Sequence, residues 1–169
     1  MPLPNIPQPQ LLPIAPGLRL RRYDGHYEIF LPGYQTPAVY ENSEGIFDLE
    51  KIPDLGYVKG MCNFLDRAGE LYYIEIEENG AFVPIGDVTI KPQNPPIALW
   101  REEYRGKGIG RQVMQAVERR LSGYPLQYIT GMWEFYSYPF EVGEGVLIPR
   151  QDTEALCDVA LRILNRCGS

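Results

Sequence analysis

Tyr104-Arg105-Gly106-Lys107-Gly108-Ile109-Gly110 is the stretch on which the reading of this chain turns. Three glycines at alternate positions leave backbone N–H groups uncovered by side chains, so the groups can converge on an anion. Beyond them, Ile109, Val113, Ala116, Val117 and Leu121 fall on one face of a helix, with Gln112, Gln115, Arg119 and Arg120 elsewhere, and Gly123 ends the run. A helix beginning at the glycines adds its own N-terminal donors and the positive end of its dipole. Just upstream, Ile97 to Trp100 reads as a short apolar strand. Strand, glycine loop and helix in that order are the context that a pyrophosphate site needs. The spacing is not that of a P-loop, which requires Gly-Lys-Ser/Thr after four residues, and no GxGxxG is present.

Working toward the N-terminus, Pro92 to Pro96 makes a turn and Phe82 to Ile90 a strand, in which Gly86 hints at a bulge. Asn79-Gly80 is a strong hairpin signal that joins it to the strand Leu71 to Glu77. Asp54 is placed to cap a helix carrying Leu55, Val58, Cys62 and Leu65 at helical spacing, with Gly69 ending it. Residues 24–53 predict short helix and loop, and Gly17 to Tyr23 a first strand. The six prolines of residues 1–16 predict a flexible, Pro-rich arm.

Toward the C-terminus the character changes. Tyr128 to Thr130, Glu134 to Val142 and Val146 to Ile148 read as strands, and Asp152 or Thr153 as the cap of a last helix bearing Leu156, Ala160, Ile163 and Leu164. The fold class that follows is α/β (α+β): a twisted, mostly antiparallel sheet with a helix after the glycine loop, plus a C-terminal β-hairpin and helix.

Composition narrows the function classes. The chain has 169 residues, 44% of them hydrophobic and 22% charged, enough to bury a core. Its net charge of -6 argues against sequence-independent nucleic-acid binding, which needs clustered Lys and Arg. The local exception is Arg101, Arg105, Lys107 and Arg111, a basic cluster around glycines that suits a phosphorylated small molecule. Cys62, Cys157 and Cys167 have neither disulfide nor zinc spacing, and His26 is the sole histidine, so a multi-His metal site is excluded. No apolar run is long enough to span a bilayer and no signal peptide is read at the start, so the expected setting is the cytoplasm, with neither membrane nor nucleic acid as partner.

The run YRGKGIG, with Arg105, Gly108 and Gly110 at the spacing Arg, two residues, Gly, one residue, Gly, resembles the acetyl-CoA loop of the GNAT acetyltransferase superfamily. IGDVTI at Ile85 to Ile90 is similar to that family's third strand and Ile97 to Trp100 to its fourth, beside which the pantetheine arm lies. The resemblance covers about residues 17–122. It implies an acetyl-CoA-dependent N-acetyltransferase acting on a small-molecule or peptide amine. The implied cofactor contacts are Leu99, Trp100, Arg105, Gly106, Lys107, Gly108, Ile109, Gly110 and Arg111. The implied base near the fourth strand is Glu102 or Glu103. The family's second half, a helix with an Asn and a Tyr that protonates the departing thiolate, has no counterpart after Leu121.

A second resemblance lies downstream. GYPLQYITG at Gly123 to Gly131, then Glu134-Phe135-Tyr136, Phe140, Val142, Val146 to Arg150 and Thr153-Glu154 resemble the release-factor glutamine methyltransferases over about residues 119–165. That family usually has Pro-Glu where this chain has Gln151-Asp152, and Gly in place of Ser137. The stretch implies an alternative: the N-terminal part of such a methyltransferase, with the acetyltransferase-like part as recognition domain, a release factor as partner, and S-adenosylmethionine as cofactor only if the chain continues beyond Ser169. Asn94-Pro95-Pro96-Ile97 imitates that family's catalytic motif, but it precedes the hairpin and carries Ile in place of Tyr; a proline turn is the expectation. The domain order expected is a Pro-rich arm over 1–16, a GNAT-like acetyl-CoA-binding region over 17–122 and a methyltransferase-like hairpin and helix over 123–169, as in a fusion. A third reading is a non-enzymatic interaction domain using the proline arm and tyrosines.

Overall fold

A sheet of five antiparallel strands in the order β1-β2-β3-β4-β5 organises the first of two units, Met1–Gly123 and Tyr124–Ser169. The computed structural model describes residues 8–40, 52–136, 138–148 and 151–167. The strands are β1 (Leu11–Ala15), β2 (Leu18–Arg22), β3 (Glu70–Glu78), β4 (Ala81–Ile90) and β5 (Ile97–Leu99). Between β2 and β3 lie a 3₁₀ turn (Tyr27–Ile29), two single-turn helices α1 (Leu31–Tyr34) and α2 (Pro37–Tyr40), and the long helix α3 (Leu55–Ala68). A second 3₁₀ turn (Glu102–Tyr104) and helix α4 (Ile109–Leu121) follow β5. The α/β class with a mostly antiparallel sheet is thus observed. The part of the 24–53 expectation that falls on residues 41–51 lies outside the described residues.

Local chemistry accounts for most of these bounds. The Asp54 carboxylate accepts from the Tyr57 N–H at 2.7 Å and starts α3. Asn79 and Gly80 both take positive φ, 53° and 80°, as a tight two-residue hairpin requires. The register of β3 on β4 passes from Ile74 opposite Gly86 to Glu75 opposite Pro84, so Ile85 is the extra residue of a bulge beside Gly86. The freed Ile85 carbonyl accepts from the Trp100 N–H at 2.8 Å.

Both faces of the sheet are covered. Leu71 and Tyr73 of β3 point to one face and pack with Val58, Cys62 and Leu65 of α3 and with Phe30, Tyr34 and Trp100. Successive strand residues alternate sides, so Glu70, Tyr72 and Ile74 face the other way, toward α4. There the fully buried Arg120 of α4 donates from Nη2 to Glu70 at 2.8 Å.

The Pro-rich arm expected over residues 1–16 is corrected in its second half. Residues 1–7 lie outside the described residues, but Leu11–Ala15 is strand β1, with Leu12 fully buried and paired to Leu20. Pro13 is tolerated because β1 is an edge strand whose register breaks between Pro13 and Ala15.

In the second unit, the expected strand at Tyr128 to Thr130 is instead part of a short helix α5 (Leu126–Thr130). Pro125 opens it, accepting from the Tyr128 and Ile129 N–H groups, and Gly131 at φ 69° closes it, the proline-first, glycine-last signature of a helical turn. A hairpin is present, but β6 (Met132–Phe135) and β7 (Tyr138–Glu141) are its strands, so the single strand expected over Glu134 to Val142 is broken at Tyr136, which takes φ 53°. Val146 to Ile148 is not a strand; it follows a turn in which the Val146 N–H donates to Gly143. Helix α6 spans Gln151–Cys167, starting before the caps expected at Asp152 or Thr153.

Candidate functional site

The glycine loop begins where β5 ends. Trp100 turns its indole inward, 5% exposed, and donates from Nε1 to Asp87 at 2.8 Å. The Tyr34 hydroxyl donates to the same carboxylate at 3.1 Å, and the Phe30 ring lies 5.0 Å from the indole. Gly33 permits this packing: a Cβ there would stand 2.3 Å from the Trp100 ring. Aromatic packing and a buried acid therefore anchor the strand end that presents the loop.

From this anchor the chain enters the 3₁₀ turn and then two glycines in the left-handed region, Gly106 at φ 70° and Gly108 at φ 80°. Gly108 is the N-cap of α4. At Gly106, Gly108 and Gly110 a Cβ would meet nothing within 4 Å, so the approach to their backbone is open. The first N–H groups of α4 have no acceptor within the helix. Open backbone, left-handed glycines and a 13-residue helix starting at the loop provide donors for an anion.

The four basic residues of the loop fall into two pairs. Arg105 folds back on β5 and donates from Nε and Nη2 to the Leu99 carbonyl, at 3.0 and 2.6 Å. Arg101 is held by two carboxylates, Glu78 at 2.8 Å and Glu103 at 2.6 Å. Lys107 and Arg111 are exposed, and among the described residues neither forms an ion pair. Lys107 places its ammonium 5.3 Å from the Tyr104 ring centroid. Of the cations, Lys107 and Arg111 are the ones left to meet a ligand, while Arg101 and Arg105 hold the loop.

The other expected cofactor residues divide similarly. Ile109 buries its side chain, 6% exposed, so it can offer only its backbone N–H; Trp100 likewise has its indole N–H engaged and its backbone N–H on Ile85. Gly106, Gly108 and Gly110 offer backbone alone, and the Leu99 carbonyl is taken by Arg105. Beside the loop, a cleft of about 610 Å³ is lined by Thr36, Pro37, Trp100, Glu102, Glu103 and Arg105 among others. Of the two carboxylates expected as base, Glu103 is tied to Arg101, and its own backbone N–H together with that guanidinium holds its carboxyl below the usual range. That moves it away from the near-neutral pKa that suits a base. Glu102 lines the cleft, is exposed, and makes no ion pair among the described residues.

Asp87, Tyr34 and Glu78 escaped the sequence reading. A signal existed for Asp87, a lone acid inside the apolar run Ile85 to Ile90. For Tyr34 and Glu78 none did, because their partners lie 53 and 26 residues away.

Comparison with known proteins shows likeness to two families. The chain is similar to a release factor glutamine methyltransferase of Moorella thermoacetica, 48% identical over 73 residues, 43% of this chain and 25% of that protein. It is similar to a bifunctional methyltransferase of Rickettsia typhi, 54% identical over 101 residues, 56% of this chain and 19% of that protein. The match thus spans a quarter or less of those relatives' lengths. Among solved structures, a domain from Methanocaldococcus jannaschii shares the fold at a TM-score of 0.50 and 20% identity, covering 63% of this chain and 70% of that one. Among the described residues no helix is long and apolar enough to cross a membrane. The family model described as Acetyltransferase (GNAT) family matches residues 28–135, from the 3₁₀ turn after β2 to the end of β6 and through the whole glycine loop. The chain belongs to the GNAT acetyltransferase family.

Proposed function

We propose that the chain binds acetyl-CoA with its pyrophosphate in the glycine loop and transfers the acetyl group to an amine. The observation that carries this reading is the loop itself: left-handed Gly106 and Gly108 opening a 13-residue helix, with Lys107 and Arg111 exposed beside them and, among the described residues, in no ion pair. Acetyl-CoA supplies the activated thioester. The N–H groups at the start of α4, with Lys107 and Arg111, hold its phosphates. The outward edge of β5 would orient the pantetheine arm by backbone hydrogen bonds at Ile97 and at the Leu99 N–H, because the Pro96 carbonyl and the Trp100 N–H bond inward to β4 and antiparallel residues alternate, while Arg105 holds the Leu99 carbonyl. Glu102, on the cleft beside Trp100, accepts the proton of the attacking amine at its carboxylate, directly or through one water. Glu103 keeps Arg101 in place.

Calorimetric titration with acetyl-CoA tests the reading. Saturable binding below millimolar is expected in the parent chain. Gly108→Asp sets a carboxylate in the anion site and is expected to abolish it. No heat at millimolar acetyl-CoA overturns the reading. If binding is seen, release of free thiol with a panel of amines identifies the acceptor, and Glu102→Gln is expected to slow that release by about a hundredfold, the usual worth of a general base.

The similarity to proteins named release factor glutamine methyltransferase supports a second reading. Under it, the sheet unit is a recognition domain for a release factor, and methyl transfer from S-adenosylmethionine is carried out elsewhere in the protein. Binding of a release factor by this chain, with no response to acetyl-CoA, favours that outcome.

A further inference from the structure

The loop that carries the proposed pyrophosphate site is fastened at a point remote from it in sequence. Glu78 is the last residue of β3, at the tip of the β3–β4 hairpin, beside Asn79-Gly80. It receives two donors from the segment after β5. The Tyr104 hydroxyl donates to its Oε1, and Arg101 donates from Nη1 to the same oxygen at 2.8 Å. Arg101 also reaches Glu103 at 2.6 Å, and its guanidinium carbon lies 5.1 Å from the Tyr104 ring centroid. The Lys107 ammonium lies 5.3 Å from that same ring. A cation within about 6 Å of an aromatic centroid is drawn to the ring, so the position of the ring sets that of the ammonium. One chain of contacts therefore runs from the hairpin tip through Glu78 and Tyr104 to Lys107, the cation between the two left-handed glycines.

We propose that Glu78 is a positioning residue for ligand binding: through Tyr104 it holds the 101–107 segment and Lys107 in the form that receives a pyrophosphate. Charge alone would predict the opposite sign. A carboxylate near an anion site repels the ligand, so neutralising Glu78 should tighten binding if Glu78 merely sat nearby. Here the carboxylate is covered by the Tyr104 hydroxyl and the Arg101 guanidinium, which together hold it below its usual range. Its effect is to fix donors in place. Neither Arg101 nor Tyr104 need touch the ligand.

The inference rests on the proposed function, and the test separates the two. Coenzyme A and pantetheine, which lacks the phosphates, are titrated into the parent chain, Glu78→Gln and Tyr104→Phe. Both variants are expected to bind coenzyme A about fivefold more weakly, the scale of an exposed charged pair, and pantetheine equally well. Amide exchange at residues 106–111 is expected to quicken in both variants and to stay unchanged at the Ile74 and Val88 amides in the sheet. Tyr104→Phe keeps the ring and the carboxylate, so it reports on the hydroxyl contact even if Glu78→Gln melts the hairpin tip. Unchanged or tighter coenzyme A binding by the variants overturns the positioning role while the proposed function stands. Parallel losses for coenzyme A and pantetheine also overturn it, since they mean general destabilisation. Absence of coenzyme A binding by the parent chain overturns both.

Discussion

The two units of the chain carry the same kind of helix and treat it differently. In Met1–Gly123, α3 and α4 turn Val58, Cys62, Leu65, Val113 and Val117 onto opposite faces of one sheet, and all of these side chains are buried. In Tyr124–Ser169, α6 repeats the spacing with Leu156, Val159, Ile163 and Leu164, yet every one of these is more than half exposed. Among the residues of that unit whose side chains are described, only Val142 is buried. Apolar spacing specifies a helix and the side it would bury. It does not supply the surface to bury it against, and most helical stability comes from that surface.

Four changes would break or sharpen this comparison. The largest effect belongs to Glu70→Ala, which removes the carboxylate that the fully buried Arg120 meets with both Nε and Nη2. Removing one member of a buried pair costs about 3–5 kcal/mol, so urea denaturation followed by tryptophan fluorescence should show the midpoint fall steeply. Next, Gly33→Ala drives a methyl into the Trp100 ring that anchors the loop. Overpacking of this kind costs about 1–3 kcal/mol, and acetyl-CoA affinity should fall with it because β5 and the loop share that anchor.

A smaller effect is expected in acid. Burial tends to raise the Asp24 carboxyl, but hydrogen bonds from His26, Arg21 and Tyr73 outweigh it and bring the pKa down to about 2, against an ordinary value of 3.8. A folded-state pKa below the unfolded one stabilises above the unfolded value and is lost as pH falls toward the folded one. Stability should therefore decline between about pH 4 and pH 2. Asp24→Asn should flatten that part of the pH–stability curve. The contribution is modest, since the side chain is 43% exposed. Smallest of all, Ile163→Asp on α6 should leave the unfolding midpoint of the sheet unit within about 0.5 kcal/mol, as for any surface position. A large shift there, read in the same urea titration, would mean that α6 is covered in solution.

The candidate site was legible where it depends on neighbours in sequence. The glycine loop and the helix after it appeared where expected because glycine spacing and apolar periodicity act within a few residues. The roles of its basic residues were not legible. Arg101 and Arg105 count equally with Lys107 and Arg111 in a tally of charge, but Glu78 and the Leu99 carbonyl engage the first two. Likewise Trp100, expected at the cofactor, has its indole turned to Asp87, a partner that only the pairing of β4 with β5 brings near.

The same division runs through the fold. By itself the sequence determined the Asp54-capped helix, the Asn79-Gly80 hairpin and the left-handed start of α4, because a side-chain cap, a positive φ and an unpaired helix end are energies settled within one turn. Tertiary structure alone decided that Leu11–Ala15, proline and all, is a strand, since its stability comes from β2 and from the core under Leu12. It alone decided which helices are covered, and which cations near the glycine loop are engaged by Glu78, Glu103 and the Leu99 carbonyl. Those outcomes depend on partners tens of residues away, whose distance the order of residues does not record.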